Sequence, residues 1–221
     1  MNGRTVQLTG VITLWVCLTL PAEIHYIDAV SLVEDGQSGY TIVIAADAPL
    51  PVKFAAEELQ KYLVQISGAQ LPVSNDISTD LAICVGEGSA PAGETDRLRL
   101  DLKGRGEDGY VMRSSGKRLV LMGNSPRATL YAVYHFLEKY LGCGWCVPGD
   151  DTVPKQTTVR LPQFEDAIGP PAMSMRKIVH FADPKADCAV TQAYGADYIR
   201  KCVLPRVDWM AKNRFNWVHL G

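Results

Sequence analysis

Residues 108–142 read DGYVMRSSGKRLVLMGNSPRATLYAVYHFLEKYLG. Two β-like runs, Tyr110 to Arg113 and Arg118 to Met122, flank Ser-Ser-Gly-Lys, the pattern of a hairpin, so the sheet is at least partly antiparallel. Directly afterwards Ser125 is placed to cap a helix, and Pro126 is acceptable at its first position. Leu130, Val133, Tyr134, Leu137 and Leu141 then recur at helical spacing until Gly142. A strand hairpin feeding an amphipathic helix means a mixed α/β domain.

The flanking sequence extends that domain in both directions. YTIVIAA from Tyr40 is rich in β-branched residues and predicts a strand. A helix follows, with Val52, Ala55, Leu59, Tyr62, Leu63 and Ile66 on one face, Glu57 set to pair with Lys61, and Gly68 suited to a left-handed cap. LAICVG at 81–86 is a short apolar strand, and the polar stretch from there to Gly106 reads as an exposed loop. TVRLP at 158–162 is another strand, and prolines 162, 170 and 171 mark a linker, with a domain boundary between residues 162 and 172. Beyond it MSMRKIVHF, PRVDWMAKNR and FNWVHL give strand, helix and strand, a βαβ unit. One such unit cannot cover both faces of a parallel sheet, so this second domain is expected to continue past Leu220.

The chain of 221 residues carries 22 basic and 24 acidic side chains, a net charge of −2, which argues against nucleic acid or an anionic membrane as partner. Arg4 precedes an uncharged run centred on VITLWVCLTL, followed by Pro21 and Ala22; this has the pattern of a secretory signal peptide over residues 1–22, the alternative being a buried N-terminal helix, since only Arg4 supplies positive charge. It is too short for a stable membrane span, which takes about 20 apolar residues. Six cysteines (17, 84, 143, 146, 188 and 202) show no disulfide framework, and the loss of Cys17 with a leader leaves an odd number. Cys143 and Cys146 form a CxxC pair that follows a helix and has no second pair or histidines beside it, so packed thiols are expected. No cofactor or metal is implied.

Other chemistry-bearing residues have plain readings. His135 has no second histidine on its helix face and projects opposite the apolar stripe, towards solvent. Gly86-Glu87-Gly88 lacks the third glycine of a nucleotide loop and is a turn. Asp150 and Asp151 follow Pro148-Gly149 in an exposed turn, and Asp101, Glu107 and Asp108 are expected to be solvated. In the second unit Arg176, His180, Asn216 and His219 lie on strands that end at the active-site face if the unit opens a barrel, and Trp217 is suited to stacking on a sugar.

Taken together, AAEELQKYLVQISGAQLPV (55–73), the stretch 108–154 ending in LGCGWCVPGDDTVP, RKIVHF (176–181) and WMAKNRFNWVHLG (209–221) resemble the N-terminal region of alpha-glucuronidases and related secreted bacterial glycoside hydrolases. The resemblance runs from about Tyr40 to Gly221 and departs at Cys146, where the family frequently has an aromatic residue. It implies an α/β (α+β) fold: a two-layer mixed-sheet sandwich with helices on one face, over residues 30–165, similar to the second domain of beta-hexosaminidases. The first βαβ unit of a (β/α)₈ TIM-type barrel follows over residues 172–221. It implies a carbohydrate substrate bound by the complete barrel, with Arg176, His180 and His219 matching its early strands. The family's catalytic carboxylates lie on later strands, so no catalytic residue is assigned in this chain. The other reading the residues allow is a secreted carbohydrate-binding or structural module in which the α/β domain acts alone.

Overall fold

Strict alternation along three short apolar strands sets the core. In the computed structural model, which describes residues 30–178 and 199–218, β2 (Thr41–Val43), β4 (Ala82–Val85) and β6 (Arg118–Gly123) lie parallel at the centre of one sheet. Ile42, Ile83, Val85, Leu119 and Leu121 point to one face; Val43, Ala82, Cys84, Val120 and Met122 point to the other. Both faces are covered, which is why these strands read as unbroken apolar runs. Antiparallel β5 (Tyr110–Ser115) joins β6 through Gly116 and Lys117, and the full order is β10-β5-β6-β4-β2-β3, with β3 at Val73–Ser74 and β10 at Glu165–Ile168.

The larger face carries α1 (Leu50–Ser67) and α3 (Pro126–Lys139), a helix layer on a mixed sheet as expected. Gly68 closes α1 in the left-handed region at φ 82, donating to the Val64 carbonyl at 2.9 Å. Ser125 caps α3, its Oγ accepting from the Ala128 amide at 3.1 Å. Leu59, Leu63, Val133 and Leu137 are completely buried between the helices and the sheet, each worth roughly 1.5–3 kcal/mol of transfer free energy. Lys61 pairs with Glu58 at 2.8 Å rather than with Glu57, because Glu58 faces inward to meet the Tyr134 hydroxyl as well.

Two stretches depart from the sequence reading. The loop expected before Gly106 contains α2 (Ala92–Leu102), which buries Thr95, Leu98 and Leu102 against the other face of the sheet. The apolar stripe is only three residues wide and Leu100 points to solvent, so charge hid the helical period. Within the expected linker, residues 165–168 form the edge strand β10, antiparallel to β5 in the register Glu165↔Arg113.

Smaller pieces surround this core. β1 (Val30–Val33) pairs antiparallel with β9 (Val159–Leu161), and β7 (Gly144–Val147) forms a hairpin with β8 (Asp150–Thr152). In the second unit β11 (Lys177–Ile178) and β12 (Trp217–Val218) are parallel, and α4 (Leu204–Lys212) lies between them in sequence behind the π-helical turn Ile199–Val203. This is the expected βαβ order, and no closed barrel occurs among the described residues. The leader reading, His180, His219, Cys17 and Cys188 fall outside the described residues.

Candidate functional site

Buried charge is concentrated where the α/β domain meets the βαβ unit. Asp108, just before β5, is only 7% exposed at its side chain. Its Oδ1 accepts from Arg127 Nε at 2.9 Å and Nη2 at 2.7 Å; its Oδ2 accepts from Arg176 Nη2 at 2.6 Å and Asn216 Nδ2 at 3.1 Å. Burial alone would raise its pKa, but the hydrogen bonds from Arg176 and Arg127 outweigh that and hold the carboxyl below the usual 3.8. The expectation of a solvated Asp108 is therefore corrected: two guanidiniums and an amide take the place of water. Asp101 is likewise engaged, accepting from the buried Arg113 at 2.5 Å and tying α2 to β5.

A second knot lies around Lys212 of α4, whose side chain is 2% exposed. Its ammonium donates to Asp151 at 2.7 Å and to Asp208, and it sits 5.3 Å from the ring centre of Trp145 and 5.4 Å from that of Tyr62. Asp151 also accepts from the Tyr62 hydroxyl at 2.5 Å, so it belongs to β8 and a buried network rather than to an exposed turn. Trp145 meets Tyr62 and Tyr134 edge to face at 5.2 and 5.9 Å. Asp151 lies 61 residues from Lys212 and 89 from Tyr62 in sequence, which is why local reading missed the network.

Of the residues expected to face substrate, Arg176 and Asn216 come together immediately before β11 and β12. Arg176 donates through Nε to the Arg214 carbonyl and through Nη1 to the Met173 carbonyl, besides its bond to Asp108. Trp217 is 45% exposed, with Lys177 Nζ 5.2 Å from its ring centre. His135 is half-buried instead of solvent-facing: its Nδ1 is 3.0 Å from the Tyr110 hydroxyl, and burial followed by the charge of Arg214 lowers its pKa below 6.5. Helical projection erred there because β5 packs against that flank of α3. Cys143 and Cys146 are both free; burial, with help from Asp151, pushes the Cys143 thiol up to about 12, as suits a packed thiol, whereas Cys146 is exposed and the expectation of packing is corrected there. Among the described residues no cluster of histidine, cysteine and carboxylates fit for a metal occurs.

A cleft of about 360 Å³ opens at the carboxyl ends of β2, β4 and β6. Asp47 and Pro49 after β2, Glu87 and Gly88 after β4, and Asn124 and Ser125 after β6 line it. The helix following β2 lies on one face of the sheet and that following β4 on the other, the arrangement at which open α/β sheets receive ligands. Glu87 pairs with Arg99 at 2.5 Å across its exposed rim.

Residues 26–136 match the family described as glycosyl hydrolase family 67 N-terminus. The chain belongs to this family. Its N-terminal domain is thus alpha-glucuronidase-like and glycoside hydrolase-like, as the resemblance implied. The fold of the family 67 N-terminal domain is shared with a solved family GH115 4-O-methyl-alpha-glucuronidase with specificity for decorated arabinogalactans. That match has 18% identity and a TM-score of 0.57 over 86% of this chain. A Streptomyces plicatus N-acetyl-beta-hexosaminidase aligns at 15% identity and a TM-score of 0.49, over 86% of this chain and 31% of its own. The chain spans only 26% of the length of the glucuronidase. No curated protein sequence matches it. Among the described residues no helix is long and apolar enough to cross a membrane.

Proposed function

We propose that the chain is the accessory domain (residues 30–165) and the opening of the (β/α)₈ barrel (172–221) of a secreted, alpha-glucuronidase-like glycoside hydrolase acting on oligosaccharide or polysaccharide. The observation that carries this reading is a family 67 N-terminal domain followed by a parallel βαβ unit docked against it. Glycoside hydrolysis needs two carboxylates across the sugar, one as acid and one as nucleophile or base. The buried Asp108 and the partly buried Asp151 are neutralised by arginine or lysine, which supports placing the catalytic pair on later barrel strands. His180 and His219 follow β11 and β12 in sequence, towards the ends at which barrel enzymes bind substrate, and are proposed to contact the sugar. Arg176, the third residue in the substrate-facing set, is already bonded to Asp108.

The test is expression of the complete gene and chromatographic assay of a panel of glucuronosylated and neutral oligosaccharides. Release of a monosaccharide is expected, and no release from any of them would overturn the enzyme reading. N-terminal sequencing of the exported product should begin just after Ala22; a product retained with Met1 intact would overturn the leader. A second reading, sugar binding by the α/β domain alone, is favoured by the cleft between Asp47 and Glu87. Calorimetric binding of an oligosaccharide to the 221-residue chain, abolished by Asp47→Ala, would support it.

A further inference from the structure

Both strand starts of the βαβ unit and its helix α4 are held by polar groups of the α/β domain. Arg176 and Asn216 occupy adjacent places in the parallel register that continues as Lys177↔Trp217 and Ile178↔Val218. The Arg176 amide donates to Asn216 Oδ1 at 2.8 Å, and the Asn216 amide returns to the Arg176 carbonyl at 3.1 Å. A single oxygen, Asp108 Oδ2, accepts from both side chains. On the far side of the unit α4 is fixed by Lys212 to Asp151 and by Trp209 Nε1 and Asn213 Nδ2, which both donate to the Trp145 carbonyl at 2.8 and 3.1 Å. Between these points the Tyr131 hydroxyl donates to the Phe215 carbonyl at 2.8 Å.

A slip of one residue between two strands turns every side chain to the opposite face, and a closed barrel demands one fixed stagger. Parallel pairing also closes a long loop before it gains any contact, so it forms slowly and is easily mispaired. A buried carboxylate that two neighbouring strand starts must reach together removes that freedom. We infer that the α/β domain serves as an intramolecular template for the barrel: Asp108 pins the register of its first two strands, while Asp151 and Trp145 seat the helix between them. This deepens the proposed function by naming what the accessory domain does for the barrel. The pinning itself concerns only the 221-residue chain and does not depend on glycosidase activity.

Hydrogen exchange read by mass spectrometry on that chain tests it, with Asp108→Asn, Arg176→Met and the double variant. Loss of a buried charge-assisted hydrogen bond should lower protection of residues 214–218 by about tenfold or more in either single variant. The hairpin at 110–123 should keep its protection in Arg176→Met, and the double variant should be no worse than the worse single one. Protection of 214–218 within about twofold of wild type in Arg176→Met would overturn the inference. So would parallel loss in the hairpin, since the two units would then be one cooperative body with nothing templating anything. If Asp108→Asn unfolds the whole chain, Arg176→Met decides alone, because it leaves the α/β domain's own residues unchanged.

Discussion

Lys212 offers a quantitative test of how the two units are joined. Its ammonium is 2% exposed, whereas Asp151 and Asp208 are 25% and 36% exposed, so the three charges are not equally able to return to water. At 2.7 Å the attraction to Asp151 is about 6 kcal/mol at an effective dielectric of 20, and desolvating the ammonium consumes several kcal/mol of that. Lys212→Met keeps the stem against Trp145 and Tyr62 and lets both carboxylates hydrate, so it should lower stability by only about 1 kcal/mol. Asp151→Ala with Asp208→Ala leaves the ammonium buried without a counter-charge and should lower it by roughly 3–5 kcal/mol. Adding Lys212→Met to that double variant should then recover roughly 2–3 kcal/mol, the remainder reflecting the lost acceptor of the Tyr62 hydroxyl. Urea unfolding followed by tryptophan fluorescence reads this directly, since Trp145 and Trp209 flank the site. A triple variant no more stable than the double, or a Lys212→Met as damaging as the double, would refute the reasoning.

Acid should weaken the fold through Asp108 and Asp166. Burial pushes both upward, but Arg176 and Arg127 at one, and Lys139 and Tyr140 at the other, hold them below 3.8. A depressed folded pKa gives stability that is present above the unfolded value and lost as pH falls through the folded one. Unfolding free energy should therefore be flat above about pH 5 and decline below about pH 4, with a shallower decline in Asp166→Asn; an unchanged slope contradicts this. Ser125→Ala removes the acceptor for the Ala128 amide and should lower stability by about 1 kcal/mol in the same urea assay. Gly123→Ala brings a Cβ to 2.4 Å from the Ala128 carbonyl carbon and the Thr129 nitrogen, so the start of α3 must shift and a loss of about 2 kcal/mol or more is expected; a wild-type midpoint would refute the close approach. In the glycosidase proposed above, His180→Ala and His219→Ala should raise KM, while Arg176→Met should lower thermal stability and leave KM unchanged. The reverse pattern would return Arg176 to substrate binding.

What the sequence discloses depends on how far apart the partners lie. The β5–β6 hairpin and the Ser125 cap are legible because each involves residues within a turn of one another. The βαβ order also shows, since each element carries its own period. β10 did not show: its Glu165 and Asp166 are poor strand formers between prolines, and the strand exists because β5 offers an open edge and Arg113 a counter-charge. Asp108 and Asp151 read as solvated because nothing near them in sequence reveals the arginines and lysine that pair with them, 68 residues away for Arg176 and 61 for Lys212.

That difference in reach also explains how one unit can steady the other without obstructing it. The α/β domain grips β11 and β12 at Arg176 and Asn216, where the strands begin. In (β/α)₈ enzymes the chemistry sits at the opposite, carboxyl ends, and the beginning of the strands is where stability is settled. An anchor made of buried charge suits that place. It demands one geometry, since a displaced strand would leave an arginine or a carboxylate buried and unpaired, whereas an apolar contact would tolerate sliding. The same demand makes Asp108 unavailable for catalysis: a carboxylate held ionised by two guanidiniums neither donates a proton near neutral pH nor acts as a free base. Its position at the junction and its inertness have the same cause.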